Sequence, residues 1–137
     1  MRRPTTLLLV VVAVLMSLLS TATAANSAPE PVAVQALSCP GGSLCAWPVT
    51  DGGSSRCSWS NADDDWWNAP VTCSWSSCRT VRALYNNGTS AAYAGVCVYR
   101  GANYTLFDLY LPQGASTTLA IGRLLRSHRW VRPGESC

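Results

Sequence analysis

The chain has 137 residues, a formal net charge of +3 and only 12% charged side chains. This length suits one folded domain rather than two, and 48% hydrophobic residues are enough to build a core. The charge is too small to attract nucleic acid or an anionic membrane strongly, so composition argues against both classes of partner.

The N-terminus has the pattern of a secretory signal peptide. An arginine pair precedes an apolar run at 7–19, and the small residues that suit a signal peptidase end at Ala24. The apolar run is shorter than the roughly 20 residues that a membrane-spanning helix needs. We therefore expect 1–24 to be a cleaved signal peptide and 25–38 a flexible leader. The product would be a secreted, extracellular protein with no membrane attachment.

The remaining residues, 39–137, predict a single all-β domain. Short apolar runs are separated by turn-forming Gly, Pro, Asn and Asp, as expected for many short strands in a sandwich or small barrel. The clearest runs are 44–47, 81–85, 96–99 and 106–111. Few segments sustain a helical period, and 116–125 comes closest to one.

A weak internal repeat indicates two similar halves. Residues 44–47 resemble 96–99, because each run places a cysteine second and an aromatic residue last. A second pair of segments, offset by 47 residues, aligns Arg82 with Arg129. Two copies of one unit, packed face to face, would bury a core that neither buries alone.

The most conspicuous local cluster is an acidic run followed by two tryptophans. Its candidate binding residues are Asp64, Asp65, Trp66 and Trp67. Carboxylates beside aromatic rings suit a metal or carbohydrate site. The simpler interpretation is a loop whose aspartates cap the next element while the tryptophans anchor it to the core. In an extended segment Trp66 and Trp67 would point to opposite faces, leaving one of them outside.

The sequence argues against an enzyme. His128 is the only histidine, whereas catalytic triads and zinc sites require histidine together with other ligands or partners. Adjacent carboxylates on one loop do not flank a cleft as those of a glycosidase must. The chain also lacks a Gly-x-Ser-x-Gly elbow and a phosphate-binding loop. We therefore expect no catalytic residue, no cofactor and no metal ion.

Four arginines near the C-terminus, at positions 123, 126, 129 and 132, recur at every third residue. Such a stripe is one hypothesis for nucleic-acid binding. However, Leu124, Leu125, Trp130 and Val131 interleave with the arginines as on a half-buried strand, and no recognition motif accompanies them. We expect a solvated strand face and no nucleic-acid partner.

The seven cysteines all follow the export signal, which predicts disulfides. The odd number leaves one thiol over, and the spacing alone leaves many pairings open. The preferred pairs are Cys39–Cys45, Cys57–Cys73 and Cys97–Cys137. Cys78 is the candidate for the unpaired residue, because the repeat has Leu125 at the matching position. Pairing of Cys57 with Cys73 would bracket the acidic-tryptophan segment as a rigid loop.

Four short motifs carry a resemblance: Cys39-Pro-Gly-Gly-Ser-Leu-Cys-Ala-Trp47, Tyr85-Asn-Asn-Gly-Thr89, Gly95-Val-Cys-Val-Tyr99 and Arg126-Ser-His-Arg-Trp-Val131. Together they resemble family 36 of the peptidase inhibitors, small secreted proteins of actinobacteria. The resemblance implies a βγ-crystallin-like sandwich of two Greek keys and inhibition of metalloproteinases. An extracellular protease would be the partner of a monomeric inhibitor.

The chain departs from the family pattern in two places. A βγ-crystallin key has two aromatic residues and then a glycine, but Leu106 follows Tyr99 and Tyr104 where glycine is expected, so the hairpin corner should differ. The family's cation loop needs oxygen ligands ahead of a Ser/Thr pair, and no carboxylates precede Thr80 or Ser127. We expect no calcium site.

A rigid, disulfide-framed loop at 61–70 would suit an inhibitor, because a loop already held in its bound shape loses little entropy on binding. The alternative is a secreted carbohydrate-binding or cell-wall-binding module, or a toxin-like antimicrobial, on the same fold. A glycan is therefore the second candidate partner.

Overall fold

The computed structural model describes residues 37–53 and 55–137. The expected signal peptide at 1–24 lies outside this part, as does the leader except for its last two residues. The described residues form seven strands and no helix, and thus contain no helix that could cross a membrane. The strands are β1 (Ser43–Trp47), β2 (Cys57–Trp59), β3 (Val81–Asn87), β4 (Gly95–Tyr99), β5 (Phe107–Pro112), β6 (Ser116–Arg123) and β7 (Ser127–Val131).

The expected all-β class is confirmed, and the strands form two antiparallel sheets. One sheet has the order β2-β1-β3-β6 and the other β5-β4-β7. Neither β2 nor β6 was predicted as a strand from the sequence. The near-helical spacing at 116–125 does not produce a helix, because β6 carries the β-branched residues Thr117, Thr118 and Ile121 and pairs with β3.

The central strands β1 and β4 are buried at every residue. Because side chains alternate along a strand, one face of each strand points into the core shared by the two sheets. That core includes Leu44, Trp59, Trp66, Leu84, Val96, Val98, Leu119 and Leu125. The opposite faces form two smaller clusters around Trp47 and Tyr99.

Disulfides cover these opposite faces. Cys45 on β1 is bonded to Cys39, and Cys97 on β4 is bonded to Cys137. The third disulfide joins Cys57 to Cys73. These are the pairs preferred from the sequence, and Cys78 is the exposed free cysteine. Cross-links of this size stabilise a small domain by about 3 kcal/mol each.

The two halves of the domain have equivalent strand arrangements. In each half the first strand lies between its two partners, β1 between β2 and β3 and β4 between β5 and β7. The third strand of the second half, β6, crosses over to pair with β3. A corresponding exchange occurs at the β7 edge of the other sheet. There, Asp63 of the first half forms a single β-bridge with His128 on β7.

The hydrogen-bond register corrects the alignment of the repeat. Cys45 faces Tyr85 across the first sheet, and Cys97 faces Arg129 across the second. Tyr85 and Arg129 therefore occupy equivalent positions. The alignment of Arg82 with Arg129 is wrong, because backbone pairing, and not the spacing of arginines, decides which residues correspond.

The β4–β5 connection contains three non-glycine residues in the left-handed region. Asn103, Tyr104 and Leu106 have φ values of 55°, 59° and 57°. Leu106, at the position where the resemblance predicts glycine, adopts a conformation that glycine adopts without strain. This turn therefore retains the left-handed conformation, although leucine is less suited to it than glycine.

Candidate functional site

The acidic-tryptophan segment lies between β2 and β3 and is held against β7 by its backbone. The amide of Asp63 donates to the carbonyl of His128 at 3.0 Å, and the amide of His128 donates to the carbonyl of Asp63 at 2.9 Å. Three residues later, the amide of Trp66 donates to the carbonyl of Arg126 at 2.7 Å. The segment therefore docks onto the second half of the domain.

Trp66 forms the buried base of the site. Its ring stacks on Trp59 with the centroids 4.3 Å apart, and its indole N–H donates to Nδ1 of His128 at 2.9 Å. The other ring nitrogen of His128 lies 3.0 Å from the carbonyl oxygen of Asn61. With Nδ1 accepting, this geometry assigns the proton to Nε2.

His128 is fully buried, and desolvation lowers its pKa to about 3. The imidazole is therefore neutral near pH 7, with each ring nitrogen engaged by a neighbour. This histidine serves the packing of the core and does not act as a catalytic base.

Asp63 is a structural residue rather than a free carboxylate. It is buried, and its Oδ1 accepts a hydrogen bond from the amide of Asp65 at 2.9 Å. Its Oδ2 has no hydrogen-bond partner among the described residues. Burial raises the pKa of this carboxyl above its ordinary value.

Asp65 organises the exposed part of the segment. Both carboxylate oxygens accept hydrogen bonds from the guanidinium of Arg126, at 2.8 and 2.7 Å. The same carboxylate accepts from the amide of Trp67 at 3.2 Å and from the side chain of Asn68 at 2.7 Å. Hydrogen bonding from Arg126 is the main reason that the pKa of Asp65 falls to about 2. Asp65 therefore stays ionised at physiological pH.

Arg126 also contacts the exposed tryptophan. Its guanidinium carbon lies 3.8 Å from the centre of the Trp67 ring, which is a cation–π arrangement. Trp67 retains 37% of its surface exposed. The ion pair thus holds the indole in place while leaving part of it open to a partner.

We call residues 67–72 the Trp67 loop; all six are exposed. At its base, the amide of Cys73 donates to the carbonyl of Trp66 at 2.7 Å, and both of these residues are buried. Within the loop, the carbonyl of Val71 accepts from the indole N–H of Trp59 at 3.4 Å. The side chain of Val71 is 38% exposed. The Trp67 loop is consequently an exposed segment with fixed ends.

The structure separates the four predicted binding residues. Trp66 lies in the core, so it cannot be a contact residue in this fold. Asp65 and Trp67 lie together at the surface with Arg126, which the sequence analysis had placed in the arginine stripe. Asp64 is exposed, and its carbonyl accepts from the amide of Asn103 at 2.8 Å. Nothing in the local sequence links Arg126 to Asp65, so this pairing was missed.

Three of the four arginines in the stripe pair with carboxylates, so the stripe is not a continuous basic face. Arg123 pairs with Asp108 at 2.6 Å, Arg126 pairs with Asp65, and Arg129 pairs with Glu135 at 2.7 Å. These carboxylates neutralise the charges that would contact phosphates. In the described part of the chain, no group of three or more His, Cys, Asp or Glu residues is placed to hold a metal ion.

Comparison with known proteins gives one match. The model of peptidase inhibitor family I36 matches residues 33–106, more than half of the chain. The matched region includes β1 to β4, the Trp67 loop and the left-handed β4–β5 connection. No curated protein matches this chain. No solved structure matches it either.

Proposed function

This chain belongs to peptidase inhibitor family I36, and we propose that it is a secreted, monomeric inhibitor that blocks an extracellular metalloproteinase with the Trp67 loop. Membership of an inhibitor family indicates a non-enzymatic protein whose partner is a protease. The metalloproteinase class follows from the resemblance to the type member of the family. The loop assignment is our own.

The observation that carries the loop assignment is that all six loop residues are exposed while both ends of the loop are fixed. Trp66 and Cys73 are buried at the base, and the Cys57–Cys73 disulfide fastens the base to β2. The ion pair of Asp65 with Arg126 restrains the loop from the other side. Because the bound shape already exists, little conformational entropy is lost on association.

The exposed side chains of the Trp67 loop supply the contact surface. Trp67 is the residue type most enriched at binding hot spots, and Val71 adds a second apolar side chain. Their backbone lies in a turn-rich segment outside the two sheets. The amide of Trp67 and the carbonyl of Val71 are already engaged within the domain, so the exposed side chains carry the contact with an active-site cleft. An exposed loop of this kind suits the active-site cleft of a protease better than the flat surface of another partner.

We also propose that the fold is βγ-crystallin-like. The exchange of β6 into the sheet of the first half, and the reciprocal bridge of Asp63 to His128, support two interlocked Greek keys. The left-handed φ of Leu106 at the glycine position supports the same assignment. An experimental structure with a different strand order would contradict this proposal.

The proposed function also requires export of the chain and a folded domain after the cleaved segment. We infer a signal peptide at 1–24, a leader at 25–38 and one domain at 39–137, in a protein of actinobacterial type. The three disulfides support an oxidising, extracellular location. N-terminal sequencing of the exported protein should start at Ala25, and an intact Met1 would contradict export by cleavage.

The inhibitory function is tested on the exported, oxidised protein with a thermolysin-like metalloproteinase and a subtilisin-like serine protease. We expect inhibition of the metalloproteinase, with about a tenfold or greater weakening by Trp67→Ala, as for a hot spot, and a smaller weakening by Val71→Ala. Tyr110→Ala is the matched control, because Tyr110 is 42% exposed on β5, outside the loop. No inhibition of either protease would overturn the function, whereas unchanged inhibition by both loop variants would overturn only the loop assignment.

A further inference from the structure

A concave site lies elsewhere on the domain, outside the Trp67 loop. It is a cleft of about 250 Å³ where the β3–β4 connection, the β5–β6 turn and β7 meet. Its side chains are those of Ser60, Thr89, Ser90, Tyr93, Gln113 and Trp130. Gly42 and Gly88 supply the rest of the lining. Both halves of the domain contribute to this cleft.

The lining combines aromatic rings with neutral polar groups. The rings of Tyr93 and Trp130 have centroids 6.0 Å apart, with 37° between their planes. Three hydroxyl side chains and the amide of Gln113 accompany them, and no lining residue carries a charge. A charged ligand would lose its hydration here without meeting a counter-charge. A purely aliphatic ligand would leave the hydroxyl and amide groups without partners.

The walls of the cleft are held in place by buried Asn86. Its side-chain amide donates to the carbonyl of Leu111 at 2.9 Å, and its Oδ1 accepts from the amide of Gly88 at 3.0 Å. Its backbone carbonyl accepts from the amide of Gly114 at 2.8 Å. Asn86 therefore ties the β3–β4 connection to the β5–β6 turn. The cleft exists before any ligand arrives.

Gly88 and Trp130 fit closely against each other. A Cβ atom on Gly88 would lie 2.8 Å from Cζ3 of Trp130, which is closer than carbon atoms approach. The indole ring thus rests directly on the backbone of the β3–β4 connection. The buried Nε1–H of Trp130 has no acceptor among the described residues.

We propose that this cleft binds one neutral pyranose ring of an extracellular glycan. The aromatic rings suit the C–H face of a sugar, while the hydroxyl and amide groups suit its hydroxyls. The volume lies just below the roughly 300 Å³ at which drug-sized pockets begin, which favours a single ring over a longer ligand. The glycan site is separate from the Trp67 loop and would let the inhibitor stay near a cell wall or matrix.

The test is an NMR titration of the ¹⁵N-labelled, oxidised protein with two neutral trisaccharides, N-acetylated chitotriose and unacetylated maltotriose. We expect at least one of them to shift the indole N–H resonance of Trp130, with saturation near 1 mM, as is usual for one weak site. Tyr93→Ala should weaken binding about tenfold, since loss of stacking on one aromatic ring is worth about 1.4 kcal/mol. Tyr110→Ala is the control and should bind as the parent protein does.

The outcomes separate this proposal from protease inhibition. No resonance shift with either sugar at about 10 mM would overturn the glycan site and leave the inhibitor function unaffected. Shifts centred on Trp67, or equal binding by Tyr93→Ala, would also overturn it. Loss of sugar binding in Tyr93→Ala with full inhibition retained supports two independent sites. The melting temperature of each variant shows that the fold is intact.

Discussion

Asp65 and Arg126 form a two-point ion pair across 61 positions of sequence, with hydrogen bonds of 2.8 and 2.7 Å. The pair connects the base of the Trp67 loop to the chain just before β7. Because the same guanidinium stacks on Trp67, one arginine both neutralises the aspartate and positions the exposed indole. The candidate site depends on this contact between the two halves.

Replacement of Arg126 by alanine should weaken inhibition more than it weakens the fold. The substitution removes both hydrogen bonds to Asp65 and the contact with Trp67, so the loop loses its preorganisation. We expect the inhibition constant to rise about tenfold or more, with only a small loss of stability, because the ion pair is partly exposed to solvent. Enzyme inhibition and thermal unfolding measure the two effects.

Arg123→Ala is the matched control for that substitution. Arg123 also forms an ion pair, through one hydrogen bond of 2.6 Å to Asp108, away from the Trp67 loop. Its removal should cost a small amount of stability and leave inhibition unchanged. Equal loss of inhibition in both variants would show that Arg126 has no special role.

The buried histidine predicts that stability falls in mild acid. Desolvation lowers the pKa of His128 from 6.5 to about 3, so the unfolded chain binds a proton more readily than the folded chain. The folded state has its full stability with respect to His128 above pH 6.5 and loses it progressively as the pH falls towards 3. From pH 6.5 to 4 the free energy of unfolding should fall by about 3 kcal/mol. Denaturant unfolding at several pH values measures it.

Two aspartates near His128, Asp63 and Asp65, also change the pH dependence of stability. Asp63 has a raised pKa, so its contribution has the opposite sign and reduces the slope. The stability that the ionised Asp65 contributes begins to fall only below the ordinary pKa of 3.8, where the unfolded chain takes up a proton, so measurements above pH 4 are nearly free of it. His128→Gln should be less stable at pH 7 and should show a flatter pH dependence. An unchanged slope in this variant would assign the acid sensitivity to other groups.

Leu106→Gly should stabilise the domain. Leu106 has a φ of 57°, and it is 66% exposed, so its side chain contributes little to the core. A non-glycine residue in the left-handed region costs about 1 kcal/mol, and glycine removes that cost. We expect a gain of about 1 kcal/mol and a rise of several degrees in melting temperature.

Leu106→Ala separates strain from side-chain effects. Alanine removes the exposed leucine but retains the unfavourable backbone conformation. It should therefore leave stability near that of the parent protein. A gain equal to that of the glycine variant would mean that the leucine side chain, and not its backbone, was the cause.

Cys78 should be the one reactive thiol of the oxidised protein. It is exposed, while the other six cysteines form disulfides. A thiol reagent should label one site per molecule without reduction, and Cys78→Ser should abolish the labelling. Labelling of any other cysteine before reduction would contradict the disulfide arrangement.

The elements that depend on local chemistry were predictable from the sequence. The alternation of apolar residues with turn formers indicated β1, β3, β4 and β5, and the interleaving of apolar residues with arginines indicated β7. The preferred cysteine pairs are the disulfides of the structure, although spacing alone left many pairings open. Neither β2 nor β6 was predicted. β2 is only three residues long, and β6 is recognisable through its pairing with β3, which no local pattern encodes.

The sequence by itself determined an all-β domain with disulfides, because strand propensity and turn formation are properties of neighbouring residues, and cysteines behind an export signal predict cross-links. The inhibitor family followed from short shared motifs such as Cys39–Trp47 and Gly95–Tyr99. Only the tertiary structure decided that Trp66 is buried on Trp59 while Trp67 is exposed under Arg126. The same holds for the cleft beside Trp130, whose lining comes from both halves. These contacts join residues far apart in the chain, and they form only when the crossover of β6 and the bridge at Asp63 interlock the two halves.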